Sequence, residues 1–91
     1  MFICVEFYGI ARQRAGVSQL VLDFALEKVR LGDVLLELAQ RLPSLQRDCV
    51  YGRELAPSFA ANLAGERFVR DPATLLHDGD CLILLSADAG G

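Results

Sequence analysis

The sequence predicts an α+β domain in which one amphipathic helix covers one face of a β-sheet. Three observations carry this prediction. Apolar residues alternate at a period of two near both ends of the 91-residue chain. Around Gly32 the period changes to helical spacing, and beyond Pro57 further strand-like runs return between turn signals. Hydrophobic residues make up 53% of the chain, enough for one small core and hence one domain.

Phe2 to Tyr8 alternates and is rich in Val, Ile and aromatic residues, the pattern of a half-buried strand. Ile3, Val5 and Phe7 then face the core, while Cys4, Glu6 and Tyr8 face away. Gly9 to Gly16 reads as a turn carrying Arg12 and Arg14, with room for a turn of helix. Leu20, Leu22 and Phe24 alternate with Val21 and Asp23, a second strand that pairs with the first as a hairpin. Past Gly32, residues Val34, Leu35, Leu38, Ala39 and Leu42 form a helical stripe, opposite Glu37, Gln40 and Arg41. Asp33 suits the helix dipole in the first turn, and Pro43 stops the helix.

Ser44 to Pro57 is polar and irregular, with room for a short helical turn. Ser58 to Leu63 reads as a strand, and Ala64-Gly65 as a turn into a short strand at Arg67 to Val69. Asp71-Pro72 begins another turn, and Thr74 to Leu76 is expected to make a single helical turn. Asp78-Gly79-Asp80 precedes an apolar last strand ending at Leu85, with Leu82 and Leu84 inward and Cys81, Ile83 and Leu85 outward. One helix covers one face, so Tyr8, Phe68 and Leu85 fall on the other. They form either an exposed apolar patch or a surface that segment 44–57 folds over.

The net charge is −3, with one lysine, eight arginines and no basic block, so nucleic acid is not an expected partner. No apolar run approaches the roughly 20 residues of a membrane span. Met1 to Val5 is short for a signal peptide and lacks a basic leader, which makes a cytoplasmic protein the expectation. Three scattered cysteines without a C-x-x-C pair and a lone His77 predict no metal site. Cys4 and Cys81 are expected as small buried hydrophobes within strands. Cys49, in a loop, is left open as a reactive thiol.

The expected division is a domain over 1–85 and a flexible tail over 86–91. Ser86-Ala87-Asp88-Ala89-Gly90-Gly91 is a thin, small-residue thread ending in the Gly91 carboxylate. A frayed chain end is the plain alternative.

Several stretches resemble the ubiquitin-like β-grasp sulfur carriers, and among them most of all the small subunits of molybdopterin synthase. They are Phe7 to Gly16, Leu31 to Leu38, Arg41 to Leu45, Ala64-Gly65-Glu66 (Asn-Gly-Glu in the family), Asp78-Gly79-Asp80 and the terminal Gly90-Gly91. The resemblance covers nearly the whole chain. It implies a β-grasp fold, with a mixed sheet of about four to five strands packed on one main helix. It also implies a non-catalytic carrier subunit with no permanently bound cofactor. An E1-like adenylyltransferase would use ATP to adenylate Gly91, and a sulfur donor protein would convert the adenylate to a thiocarboxylate. The large subunit of molybdopterin synthase would then receive the tail, with Gly90, Ala89 and Asp88 inserted and Tyr8, Phe68 and Leu85 docking, and sulfur would pass to the cyclic pyranopterin precursor of the molybdenum cofactor. The family usually carries two prolines and a valine before the end of the tail. Here Ser86-Ala87-Asp88-Ala89 stands in their place, which implies a looser thread with an added charge. Three other readings stay open: a sulfur carrier for thiamin or another thiolated metabolite, a ubiquitin-like protein modifier, and a plain interaction module.

Overall fold

A computed structural model of the chain describes residues 1–87. Strand β1 (Phe2–Phe7), helix α1 (Gly9–Ala15) and strand β2 (Gln19–Asp23) are followed by the short strand β3 (Val29–Arg30) and helix α2 (Leu31–Arg41). A 3-10 turn (Pro43–Arg47) and the two-residue strands β4 (Val50–Tyr51) and β5 (Glu54–Leu55) come next. Strands β6 (Phe59–Leu63), β7 (Arg67–Val69), β8 (Leu75–Leu76) and β9 (Cys81–Ser86) complete the described chain.

Five strands form the main sheet in the order β2-β1-β9-β6-β7. β9 runs parallel to β1, and the other pairings are antiparallel. This is the β-grasp arrangement that the motifs implied, with the last strand inserted at the centre. Alternation decides which side chains meet α2. Ile3, Val5, Phe7, Leu22, Ala61, Leu82 and Leu84 are buried against Val34, Leu35, Leu38 and Ala39 of the helix. Leu42 lies past the helix end and is only partly buried.

Segment 44–57 does not cover the outer sheet face. It packs on the helix side, where Leu45, Cys49, Val50, Leu55 and Ala56 extend the core. Polar contacts fix it there. The Arg14 guanidinium forks onto the Asp48 carboxylate at 3.0–3.2 Å, and Gln46 donates Nε2 to the Ala39 carbonyl at 2.7 Å. The fork holds the Asp48 carboxyl below its usual range, mainly through the Arg14 hydrogen bond.

Three local expectations change. Residues 9–15 form a seven-residue α-helix, longer than the one helical turn for which the sequence left room. Thr74 to Leu76 is not helical: Leu75 and Leu76 pair with Arg30 and Val29 as a two-stranded ribbon. The cause lies in the first turn of α2, whose free N–H groups need acceptors. Leu31 donates to the Thr74 carbonyl at 2.8 Å and Gly32 to the Pro72 carbonyl at 2.9 Å, so that backbone is held extended beside the helix start. The cysteines also exchange roles. Cys49 is fully buried, and burial pushes its thiol up to about 12, which removes it as a reactive group. Cys4 and Cys81 are instead half-buried on the outer face.

Candidate functional site

The face of the sheet turned away from α2 is built in rows by the strand register. One row runs Phe68, Asn62, Ile83, Glu6, Gln19 across β7, β6, β9, β1 and β2. A second pairs Ala60 with Leu85, and a third joins Cys81, Cys4 and Val21. Tyr8 follows β1 in extended backbone, and its N–H donates to the Leu84 carbonyl at 3.0 Å. The parallel register therefore continues one step and sets Tyr8 beside Leu85. Phe68 is 68% exposed, Tyr8 52%, and Leu85 half-buried.

The three expected docking residues thus share this face, but not as one tight cluster. Tyr8 and Leu85 stand at the end of the two central strands, while Phe68 lies on the edge strand one row back. Between them lie Ile83 and Asn62, which the sequence reading did not name as docking residues. The outward position of Ile83 was readable from the period-two pattern of the last strand. The role of Asn62 was not, because it depends on pairing with both β7 and β9. Its Oδ1 is buried without a hydrogen-bond partner among the described residues, an arrangement that costs stability unless a donor arrives from elsewhere.

The face leads directly to the chain end. β9 continues through Ser86, which is paired with Phe59, and Ala87 donates its N–H to the Ser58 carbonyl at 2.8 Å. Strand pairing therefore runs to Ser86, and one further backbone hydrogen bond holds Ala87, the residue before Asp88. The expected tail-insertion residues Asp88, Ala89 and Gly90, and the expected carrier residue Gly91, lie outside the described residues.

Other features offer less chemistry. A cavity of about 440 Å3 is lined by Tyr51, Leu55, Pro57 and Arg70 among others, on the margin of segment 44–57. Its arginine is already spent on the carbonyls of Leu55, Ala56 and Phe59. Among the described residues no group of three or more His, Cys, Asp or Glu is placed to hold a metal ion. No helix among them is long and apolar enough to cross a membrane.

No protein-family model and no curated protein matches the sequence. Solved structures do match the fold over almost the whole chain. SAMP1 from Haloferax volcanii superposes with a TM-score of 0.81 at 22% identity, covering 100% of both chains. A Pyrococcus furiosus protein assigned as molybdopterin converting factor, subunit 1, gives 0.77 at 21% identity, over 94% of this chain and 97% of that one. A chain of the Amycolatopsis orientalis BexX/CysO complex gives 0.75 at 18% identity, over 98% and 99%. The fold is therefore that of the ubiquitin-like β-grasp proteins.

Proposed function

We propose that this chain is a ubiquitin-like sulfur carrier, in the manner of the small subunit of molybdopterin synthase. The observation that carries the reading is the junction at the end of β9. A central strand, paired on both sides, ends beside an outward apolar face and is followed at once by Asp88-Ala89-Gly90-Gly91. A rigid body can dock by that face while a narrow thread enters a partner's active site, since glycine adds no side chain to block the slot.

In the proposed cycle an E1-like partner uses ATP to convert the Gly91 carboxylate to an acyl-adenylate, releasing pyrophosphate. A persulfide on a sulfur donor protein displaces AMP to give an acyl disulfide, and a second thiol of the partner attacks the donor's sulfur, forming a disulfide with it and releasing the thiocarboxylate. Docked on a large synthase subunit through Tyr8, Phe68, Leu85 and Ile83, the thiocarboxylate delivers its sulfur to the pyranopterin precursor. The chain contributes the acyl group and the docking face; the acid–base and nucleotide chemistry belongs to its partners. The resemblance to an assigned molybdopterin converting factor subunit supports this acceptor.

A second reading is favoured by the neighbours described as small archaeal modifier protein 1, namely a modifier whose Gly91 is joined to target lysines. Intact mass and C-terminal peptide sequencing of protein from its native host separate the two. Replacement of one oxygen by sulfur at Gly91 supports the carrier. Gly91 found in amide linkage to lysine, without any thiocarboxylate, replaces it by the modifier. An unchanged carboxylate in sulfur-replete cells with an active carrier pathway overturns both.

A further inference from the structure

We propose that Cys4 and Cys81 form a thiol-modification site, a reversible disulfide joining β1 to β9 on the outer face of the sheet, made by exchange with a small-molecule disulfide. The inference rests on the sheet register and is independent of the fate of Gly91.

Cys4 and Cys81 are directly opposed in the parallel β1–β9 pairing. Alternation puts both on the face away from the core, and both are half-exposed free thiols. Neighbouring strands lie roughly 4.8 Å apart, inside the roughly 4.4–6.8 Å Cα separation that a disulfide spans. The Cα separation therefore lies in range, and the two Cβ atoms need only close to roughly 3.5–4.5 Å for the bond to form. Cys49, fully buried in the core, is an internal control with no access to a reagent.

The surroundings give the two sulfurs different parts. Gln19 donates Nε2 to the Cys4 sulfur at 3.3 Å. Cys81 donates its thiol hydrogen to Glu6 Oε2 at 3.6 Å. Burial first, then Cys4 and Glu6, push the Cys81 thiol up to about 12, so it waits in the protonated form. Cys81 is engaged as a donor to Glu6, so Cys4 makes the first attack, giving up its proton to solvent. It displaces one thiolate from the small disulfide and leaves a mixed disulfide on its own sulfur. Cys81 then attacks the Cys4 sulfur, and its proton passes to the second small thiolate as that group leaves. Two electrons move from the protein dithiol to the reagent, which departs as two thiols.

The test treats the reduced full-length protein with hydroxyethyl disulfide under native conditions and reads intact mass and tryptic peptides. The expected product has lost two hydrogens and links peptides 1–12 and 71–91, while the 48–53 peptide keeps a free Cys49. Cys81→Ser is expected to stop at one reagent half attached to Cys4, and Glu6→Gln, which removes a charge that keeps Cys81 protonated, to speed closure of the disulfide without changing the first addition. Separate adducts on Cys4 and Cys81 with no link overturn the proposal. So does a folded protein that resists the reagent while its unfolded chain reacts.

Discussion

Ala64 is a non-glycine residue held in the left-handed region, at φ 58°, next to Gly65 at φ 73°. Glu66 donates its N–H to the Leu63 carbonyl at 3.0 Å, closing a tight turn with both central residues left-handed. That turn favours Asn-Gly, because an alanine Cβ crowds its own backbone there. Ala64→Asn is therefore expected to stabilise the protein by about 0.5–1 kcal/mol, read as a higher urea midpoint with an unchanged slope. Gly32 gives the opposite lesson. In a helix, Gly→Ala normally gains about 1 kcal/mol, but a Cβ on Gly32 would lie 3.1 Å from Pro72 Cβ and 3.3 Å from the Pro72 carbonyl oxygen. The ring is stiff, and that carbonyl is held by the Gly32 N–H. Gly32→Ala should thus destabilise by about 1 kcal/mol, the low end of overpacking; a more stable variant in urea unfolding would mean the 72–74 segment yields more easily than its contacts imply.

The start of α2 is the element on which the connections converge. Asp33 accepts the Arg30 N–H at 2.9 Å and pairs with Arg53 at 2.7 Å. Its carboxyl is held below the usual range, first by that backbone hydrogen bond and also by Arg53, against the effect of burial. A lowered folded pKa means stability that is present above the unfolded value of about 4 and lost as pH falls through the folded value. Asp33→Ala should cost about 1 kcal/mol at neutral pH, and its gap from the parent should close in acid; a gap unchanged down to about pH 2 would assign the loss to packing instead. Much at this scale was legible from sequence. The alternation of Ile3, Val5 and Phe7, the stripe from Val34 to Ala39 and the two-faced last strand are local periodicities, and each survives in the fold. What was not legible was set by long-range partners. Leu75 and Leu76 are extended because α2 needs the carbonyls of Pro72 and Thr74, and Cys49 is buried because Arg14 pulls Asp48 onto α1. The outer face was half legible: its residues followed from alternation, but the rows joining Phe68 to Ile83 and Cys4 to Cys81 required the strand order.

For the whole molecule, the proposed carrier role assigns folding to one face of the sheet and docking to the other, so substitutions should separate folding from transfer. Leu84 is fully buried on the inner side of β9, so Leu84→Ala removes core contacts and should cost about 2–5 kcal/mol. Deleting Gly91 changes no core residue. It should leave the urea midpoint unchanged while abolishing sulfur delivery in a reconstituted synthase; a truncated protein that still restores molybdoenzyme activity would remove the carrier reading. Phe68 tests the docking step between these extremes. Its ring is 68% exposed and stands at the end of a row whose buried Asn62 oxygen lacks a partner. Truncating an exposed ring changes stability little, within about 0.5 kcal/mol, but removing an aromatic anchor from an interface typically weakens binding by about 2 kcal/mol or more. Phe68→Ser should therefore keep the parent unfolding curve and lose at least roughly tenfold in affinity for the partner that processes Gly91, since about 1.4 kcal/mol corresponds to tenfold. Affinity equal to the parent, with Gly91 still processed, would move docking off this edge of the sheet and onto Tyr8, Leu85 and the end of β9. A loss of both affinity and fold would show that Phe68 supports the sheet rather than the partner.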